Sequence, residues 1–147
     1  MKPMHDQIKL KNISKSFHTN SGSTELFNDV NINFRSSTSY ALIGESGVGK
    51  STLLHIASGL ESPSSGEVFF GEKNFWGLKA SNQSLIRLNE TAIIFQQYNL
   101  IPCLNVKENI EFQSRINNKH DSAYISAIIK DLQLGRLLEE WPENLSG

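Results

Sequence analysis

Residues 7–17 (QIKLKNISKSF) alternate apolar and polar positions unevenly, the pattern of a strand with one buried face. A turn, HTNSGST, separates them from ELFNDVNINF, where Leu26, Val30, Ile32 and Phe34 predict a second strand with an irregularity near Asp29. After RSSTS comes YALI, a short apolar run that reads as a buried strand entering a glycine-rich loop. The period then changes. In KSTLLHIASGL, Leu53, Leu54, Ile56 and Ala57 recur at helical spacing, with Gly59 as the stop. EVFFGEKNF is strand-like with Gly71 interrupting it, SNQSLIRLNE is a short helix capped by Ser81 or Asn82, and TAIIFQ is another buried strand. From Pro102 onward the spacing is helical: NVKENIEFQSRI and DSAYISAIIKDLQLG are helices capped by Asn105 and Asp121, the second stopped by Gly135. Strand–helix–strand followed by helices is an α/β arrangement with a helical C-terminal segment.

Composition narrows the function classes. The 147 residues suit one domain with a sizeable core. Fourteen Lys and Arg against fifteen Asp and Glu give a net charge of -1, so nothing in the charge balance favours nucleic acid or a polybasic membrane surface. The one cysteine, Cys103, forms no internal disulfide and reads as a small buried apolar residue. No apolar run approaches the roughly 20 residues of a membrane span, and MKPMHDQIKL lacks a signal core, so the expectation is no direct membrane insertion.

The chemistry concentrates at GESGVGKST, residues 44–52, which fits G-x-x-x-x-G-K-[ST] between a predicted strand and a predicted helix. Gly44, Gly47 and Gly49 permit backbone turns and close approach to a ligand, with Glu45, Ser46 and Val48 between them. Their N–H groups and the helix N-terminus can converge on phosphate oxygens. Lys50 would reach the β- and γ-phosphates, and Ser51, beside Thr52, would complete a magnesium site. The plain alternative is a glycine-rich turn with an exposed lysine, which the strand and helix on either side disfavour.

SGVGKSTLLHIASGL, SPSSGEVFF, IIFQQYNLIPCLNVKENI and WPENLSG, in this order and spacing, resemble the ATP-binding subunit of ABC transporters across nearly the whole chain. The likeness is to the bacterial branch of lipoprotein-releasing and macrolide-efflux ATPases. It implies a P-loop NTPase core of the ABC type with an N-terminal antiparallel β subdomain, about residues 1–101, and a helical subdomain, about 102–147. It implies ATP and Mg2+ as ligands, integral-membrane transporter subunits as partners, and a homodimer of ATP-binding subunits when full length. The expected location is cytoplasmic, peripheral on the inner membrane's cytoplasmic face.

Residue roles follow from the same resemblance. Phe17 stands where the family places an aromatic that stacks on adenine, against the alternative of a core strand aromatic. Gln96 matches the glutamine that contacts magnesium and the attacking water, with Gln97 one place away. Leu145, Ser146 and Gly147 match the start of the L-S-G-G-Q signature, whose serine and backbone N–H groups bind the γ-phosphate held by the opposite subunit. Residues 98–110 carry more apolar side chains than a short connection needs, and the exposed part of that set, with the following helices, is the expected groove for a membrane subunit's cytoplasmic helix.

The chain therefore reads as ending inside the signature. The family's magnesium-holding acidic strand, hydrolytic carboxylate and switch histidine would all lie beyond Gly147. None of His5, His18, His55 and His120 takes the switch position. The expectation is nucleotide binding without turnover by these residues alone. The alternatives are a regulatory or structural ABC-type module without transport, and an inactive gene fragment. One departure is a turn in which Ser37-Thr38 replaces the family's Gly-Glu. Trp76 and Trp141 read as packing anchors, and Glu108, Glu111, Asp131, Glu139 and Glu140 as solvated helix faces.

Overall fold

The computed structural model describes residues 6–19 and 22–145. The chain divides into two compact units, residues 1–94 and 95–147.

The first unit is built on a four-stranded antiparallel sheet in the order β2-β1-β3-β4, with β1 Asp6–Thr19, β2 Gly22–Arg35, β3 Ser65–Phe70 and β4 Lys73–Asn74. β1 pairs with β2 from Asp6↔Arg35 to Thr19↔Gly22, and with β3 from Ile8↔Phe70 to Ser14↔Ser65. The uneven alternation of the first strands has a cause. Asn12 and Asp29 both take left-handed backbone, each at φ 52, and the register slips between Leu10 and Ile13. An extra residue at a bulge reverses the parity of a strand. Leu10 and Ile13, three apart, are thereby both buried, and Phe27 and Val30, also three apart, both pack on the core. Polar side chains satisfy the bulge: Asn12 Nδ2 donates to Asp29 Oδ1, and the Asp29 N–H donates to Ser14 Oγ at 3.1 Å.

Helix α1, Lys50–Ala57, lays Leu53, Ile56 and Ala57 against that sheet, and Gly59 at φ 73 ends it as its spacing predicts. Val68, Phe70, Phe75 and Ile86 complete the core. Each such side chain, fully buried, contributes about 1.5–3 kcal/mol. Trp76 packs edge-on against Phe75 with centroids 5.0 Å apart, an anchor as expected. Helix α2, Ala80–Glu90, is capped at Lys79, two residues before Ser81 and three before Asn82, the expected caps, with no side-chain cap bond.

The buried strands predicted at YALI and TAIIFQ do not form. Residues 40–43 and 91–95 take no regular secondary structure and join no ladder, and Ile43 is 89% and Ile94 100% exposed. A helix closes its hydrogen bonds within itself, whereas a strand needs a neighbour. Neither run has a paired strand among the described residues. An open groove of about 470 Å³ lies between them, lined by Phe34, Tyr40, Leu54, Ala57 and Ile93.

The second unit carries helices α3, Val106–Ile116, and α4, Ser122–Asp131. Both expected caps are present. Asn105 and Glu108 exchange side-chain-to-backbone bonds at 2.8 and 2.9 Å in a capping box, and Asp121 accepts from the Ala123 and Tyr124 N–H groups. Four expectations need correction. Gly135 is not the stop of α4: Gln133 takes the left-handed turn at φ 56, and Gly135 sits inside a 3-10 turn, Leu134–Arg136. Cys103 is exposed, because residues 102–103 form a surface turn that buries neither of its faces. Trp141, 45% exposed at the entry to the 3-10 turn Pro142–Asn144, is only partly covered and a weaker anchor than expected. Glu111 is buried rather than solvated, and it can be because Arg115, one turn on, pairs with it.

Candidate functional site

The glycine-rich loop leads straight into α1. Gly49 is the helix N-cap at φ 95 and ψ 14, left-handed backbone that favours glycine. A β-carbon there would also stand 2.6 Å from Leu26 Cδ2, so both torsion and space demand glycine. No side chain caps this helix. Its first-turn N–H groups, which every helix leaves without internal partners, point out of its N-terminal end. Gly47, at φ 84, reverses the chain just before it.

Lys50 is half-buried and folds back over the loop. Its ammonium donates to the carbonyls of Gly44 at 2.9 Å and Glu45 at 2.5 Å. A cation is therefore held at the mouth of a loop whose backbone donors face the same end of α1. Ser51 is exposed in the first turn of that helix, and Thr52 is half-buried beside it. Ser46 and Val48 lie exposed in the turn itself. The donor set is backbone N–H, one ammonium and one hydroxyl, which suits phosphate oxygens and a hard cation bound alongside them. Among the described residues, no three His, Cys, Asp or Glu side chains group to hold a metal by themselves.

Phe17 lies near the end of β1, opposite Thr24, with its ring 44% exposed and not in the core. Lys15, two residues before it, places its ammonium over the Phe17 ring. The residue pattern alone does not single out Lys15. The available signal is the two-residue spacing, which puts alternate residues on one face of a strand.

Gln96 and Gln97 occupy an exposed bend at the start of the second unit, and both are described within that unit alone. Ser146 and Gly147 lie outside the described residues. Leu145, half-buried, closes the turn that precedes them. Ser37, where the resemblance places a glycine, sits in left-handed backbone at φ 56.

A glycine-rich loop between an apolar run and a helix on a sheet defines a phosphate-loop α/β protein. Comparison with known proteins goes further. The family model described as ABC transporter matches residues 27–147, and the chain belongs to that family. The lipoprotein-releasing system ATP-binding protein LolD of Shewanella denitrificans is 34% identical over 151 residues, covering 100% of this chain and 65% of that one. The macrolide export ATP-binding/permease protein MacB of Campylobacter jejuni is 34% identical over 143 residues, 95% of this chain and 22% of that one. The dimeric post-hydrolysis structure of the ATP-binding cassette MJ0796, bound to ADP and Pi, superposes with a TM-score of 0.82 at 28% identity. It covers 95% of this chain and 63% of that one. The chain thus has the ABC cassette fold, and it spans 62–65% of the length of the LolD relatives it matches. Among the described residues no helix is long and apolar enough to cross a membrane.

Proposed function

We propose that this chain is the nucleotide-binding part of a transporter motor, binding ATP with magnesium. In the whole protein, binding and hydrolysis would be coupled to substrate movement by integral-membrane partner subunits. The observation that carries this reading is the loop of residues 44–52: Lys50 held over its mouth, Gly49 opening α1, and uncapped N–H groups at one helix end. Residues Gly44, Glu45, Ser46, Gly47, Val48 and Gly49 wrap the phosphates with their backbone, and Lys50 leaves its carbonyls for the β- and γ-phosphates. Ser51 and Gln96 would hold magnesium, and Thr52 lies beside Ser51 in the same turn. Bound magnesium offsets charge on the phosphate oxygens. Phe17 offers an exposed ring for the adenine.

Two ATP-binding subunits would enclose two nucleotides, with Ser146 and Gly147 of one facing the γ-phosphate held by the other. The dimer of MJ0796 with ADP and Pi supports that arrangement by analogy. Residues 1–94 would form the nucleotide core with its β subdomain and residues 95–147 the helical subdomain. The surface offered to a membrane subunit includes Tyr98, 72% exposed, and the exposed Leu100. The complex would then sit peripherally on the cytoplasmic face of the inner membrane. Turnover needs a carboxylate that polarises water, and the resemblance puts it after residue 147.

Titration with a fluorescent ATP analogue, with and without magnesium, tests the reading. Binding should fall at least about tenfold in Lys50→Ala, the loss of one charge-assisted contact, and stay unchanged in Lys79→Ala. Equal affinity in both variants would sink the phosphate assignment.

A further inference from the structure

The Lys15 ammonium is fixed from several sides. It lies 2.9 Å from Glu61 Oε1, donates to the Ser62 carbonyl at 2.8 Å, and stands 5.2 Å from the centroid of the Phe17 ring. Its side chain is only 12% exposed, whereas the ring it covers is 44% exposed. Glu61 is itself fixed. The N–H groups of Leu60 and Glu61 both donate to the His55 carbonyl, and His55 Nδ1 lies 4.0 Å from Glu61 Oε2. The carboxylate is thus attached to the C-terminal end of α1, the helix whose other end carries Gly49 and Lys50. Neighbouring bonds tie the same two segments: the Ser64 N–H donates to the Ser14 carbonyl, and the Ser16 N–H to Ser64 Oγ.

We infer that Lys15 is a positioning residue for the nucleotide base, clamped by Glu61 and the Ser62 carbonyl so that it holds the Phe17 ring at a set place relative to the phosphate loop. The inference rests on the reading of Phe17 as the base platform. An aromatic face carries partial negative charge and attracts a cation, most strongly where the cation is shielded from water. Here the cation occupies one side of the ring, which leaves the other for a planar base. A half-exposed Phe at the end of a strand would otherwise sample several rotamers, and the base would lose its stacking partner for part of the time. Through Glu61 the ring is referenced to α1, so base platform and phosphate cradle keep one spacing although they sit on different elements.

The test uses the 147-residue chain and two competitors against a fluorescent nucleotide: ATP, and inorganic triphosphate, which has no base. Lys15→Met should weaken ATP about fivefold and leave triphosphate unchanged, while Lys15→Arg, which keeps a cation for both Glu61 and the ring, should retain ATP affinity. Glu61→Gln frees the ammonium with little change in volume and should lower the ATP-to-triphosphate ratio in the same direction. It serves as the reading should Lys15→Met lose its helical circular dichroism. Equal loss for both competitors, or no loss for either, would overturn the inference. Phe17→Ala separates the two levels. An unaltered ratio there removes the base platform and this inference with it, whereas a lowered ratio in Phe17→Ala beside a wild-type ratio in Lys15→Met removes the inference alone.

Discussion

The Lys50 ammonium is hydrogen-bonded to the Gly44 carbonyl, 2.9 Å away, so the lysine that would meet phosphate also ties together the two ends of its own loop. A second bond to the Glu45 carbonyl reinforces the closure. Lys50→Ala should therefore do more than lower nucleotide affinity. The ligand-free protein should lose about 1 kcal/mol, the scale of a charge-assisted bond in a partly exposed site. Denaturant midpoints measured without nucleotide would show it; an unshifted midpoint would mean that these two bonds contribute nothing to the loop's stability.

Ser37 supplies a second prediction. Left-handed backbone costs a residue with a β-carbon roughly 1–2 kcal/mol, and Ser37 adopts it at φ 56. Glycine removes that strain but adds about 0.4–1 kcal/mol of chain entropy to the unfolded state. Relief of strain outweighs the added entropy, so Ser37→Gly should stabilise the first unit by about 0.5–1 kcal/mol. Thermal unfolding is the measurement, and a lowered midpoint would contradict it.

Helix α2 offers a third. Its N-cap residue, Lys79, already has the extended backbone a cap requires, at φ -61 and ψ 148, but supplies no acceptor. Asp at this position can accept from the first-turn N–H groups and complements the helix dipole. Lys79→Asp should raise stability by about 0.5–1 kcal/mol and leave nucleotide affinity untouched. A comparison of urea midpoints, with nucleotide titration alongside, would check both halves.

Glu111 sets an acid limit on the second unit. The Arg115 guanidinium, whose Nε donates to Glu111 Oε2 at 2.9 Å, holds the carboxyl below its ordinary value of 4.5 despite burial, which acts the other way. A carboxylate whose folded pKa is depressed stabilises fully above its unfolded pKa and loses that contribution as pH falls through the folded one. Glu111→Gln should cost about 0.5 kcal/mol at neutral pH, and the difference from wild type should shrink below pH 4.5. If the difference stays constant down to the acid transition, the pair is not what stabilises this helix.

The parts legible in the sequence are those set by neighbours along the chain. The bulge near Asp29 showed in the broken alternation of β2, α1 in its period, and the caps Asn105 and Asp121 in residue type. The phosphate loop was readable because its glycines and Lys50 act within nine residues. What failed depends on distant partners. The apolar runs at residues 40–43 and 91–95 look like strands, yet only a neighbouring strand makes one. Lys15 looks ordinary until Glu61, 46 positions away, is brought to its ammonium; Glu111 is the local exception, its partner Arg115 lying only one turn on. Cys103 misled because apolar neighbours in a turn say little about burial.

The strand order has a consequence for how the protein assembles itself in time. β1 meets β2 through the adjoining hairpin, but it meets β3 only across the long excursion that contains the phosphate loop and all of α1, with Leu10 opposite Val68. Closing that excursion carries an entropic cost that a hairpin escapes, so the hairpin zips early and β3 joins late. Until it joins, α1 has only half a sheet to lie on, and an isolated eight-residue helix is far too short to persist in water. The cradle at its N-terminus is thus among the last parts to take shape in refolding, and a ligand gripping it selects molecules whose most distant pairing is already complete.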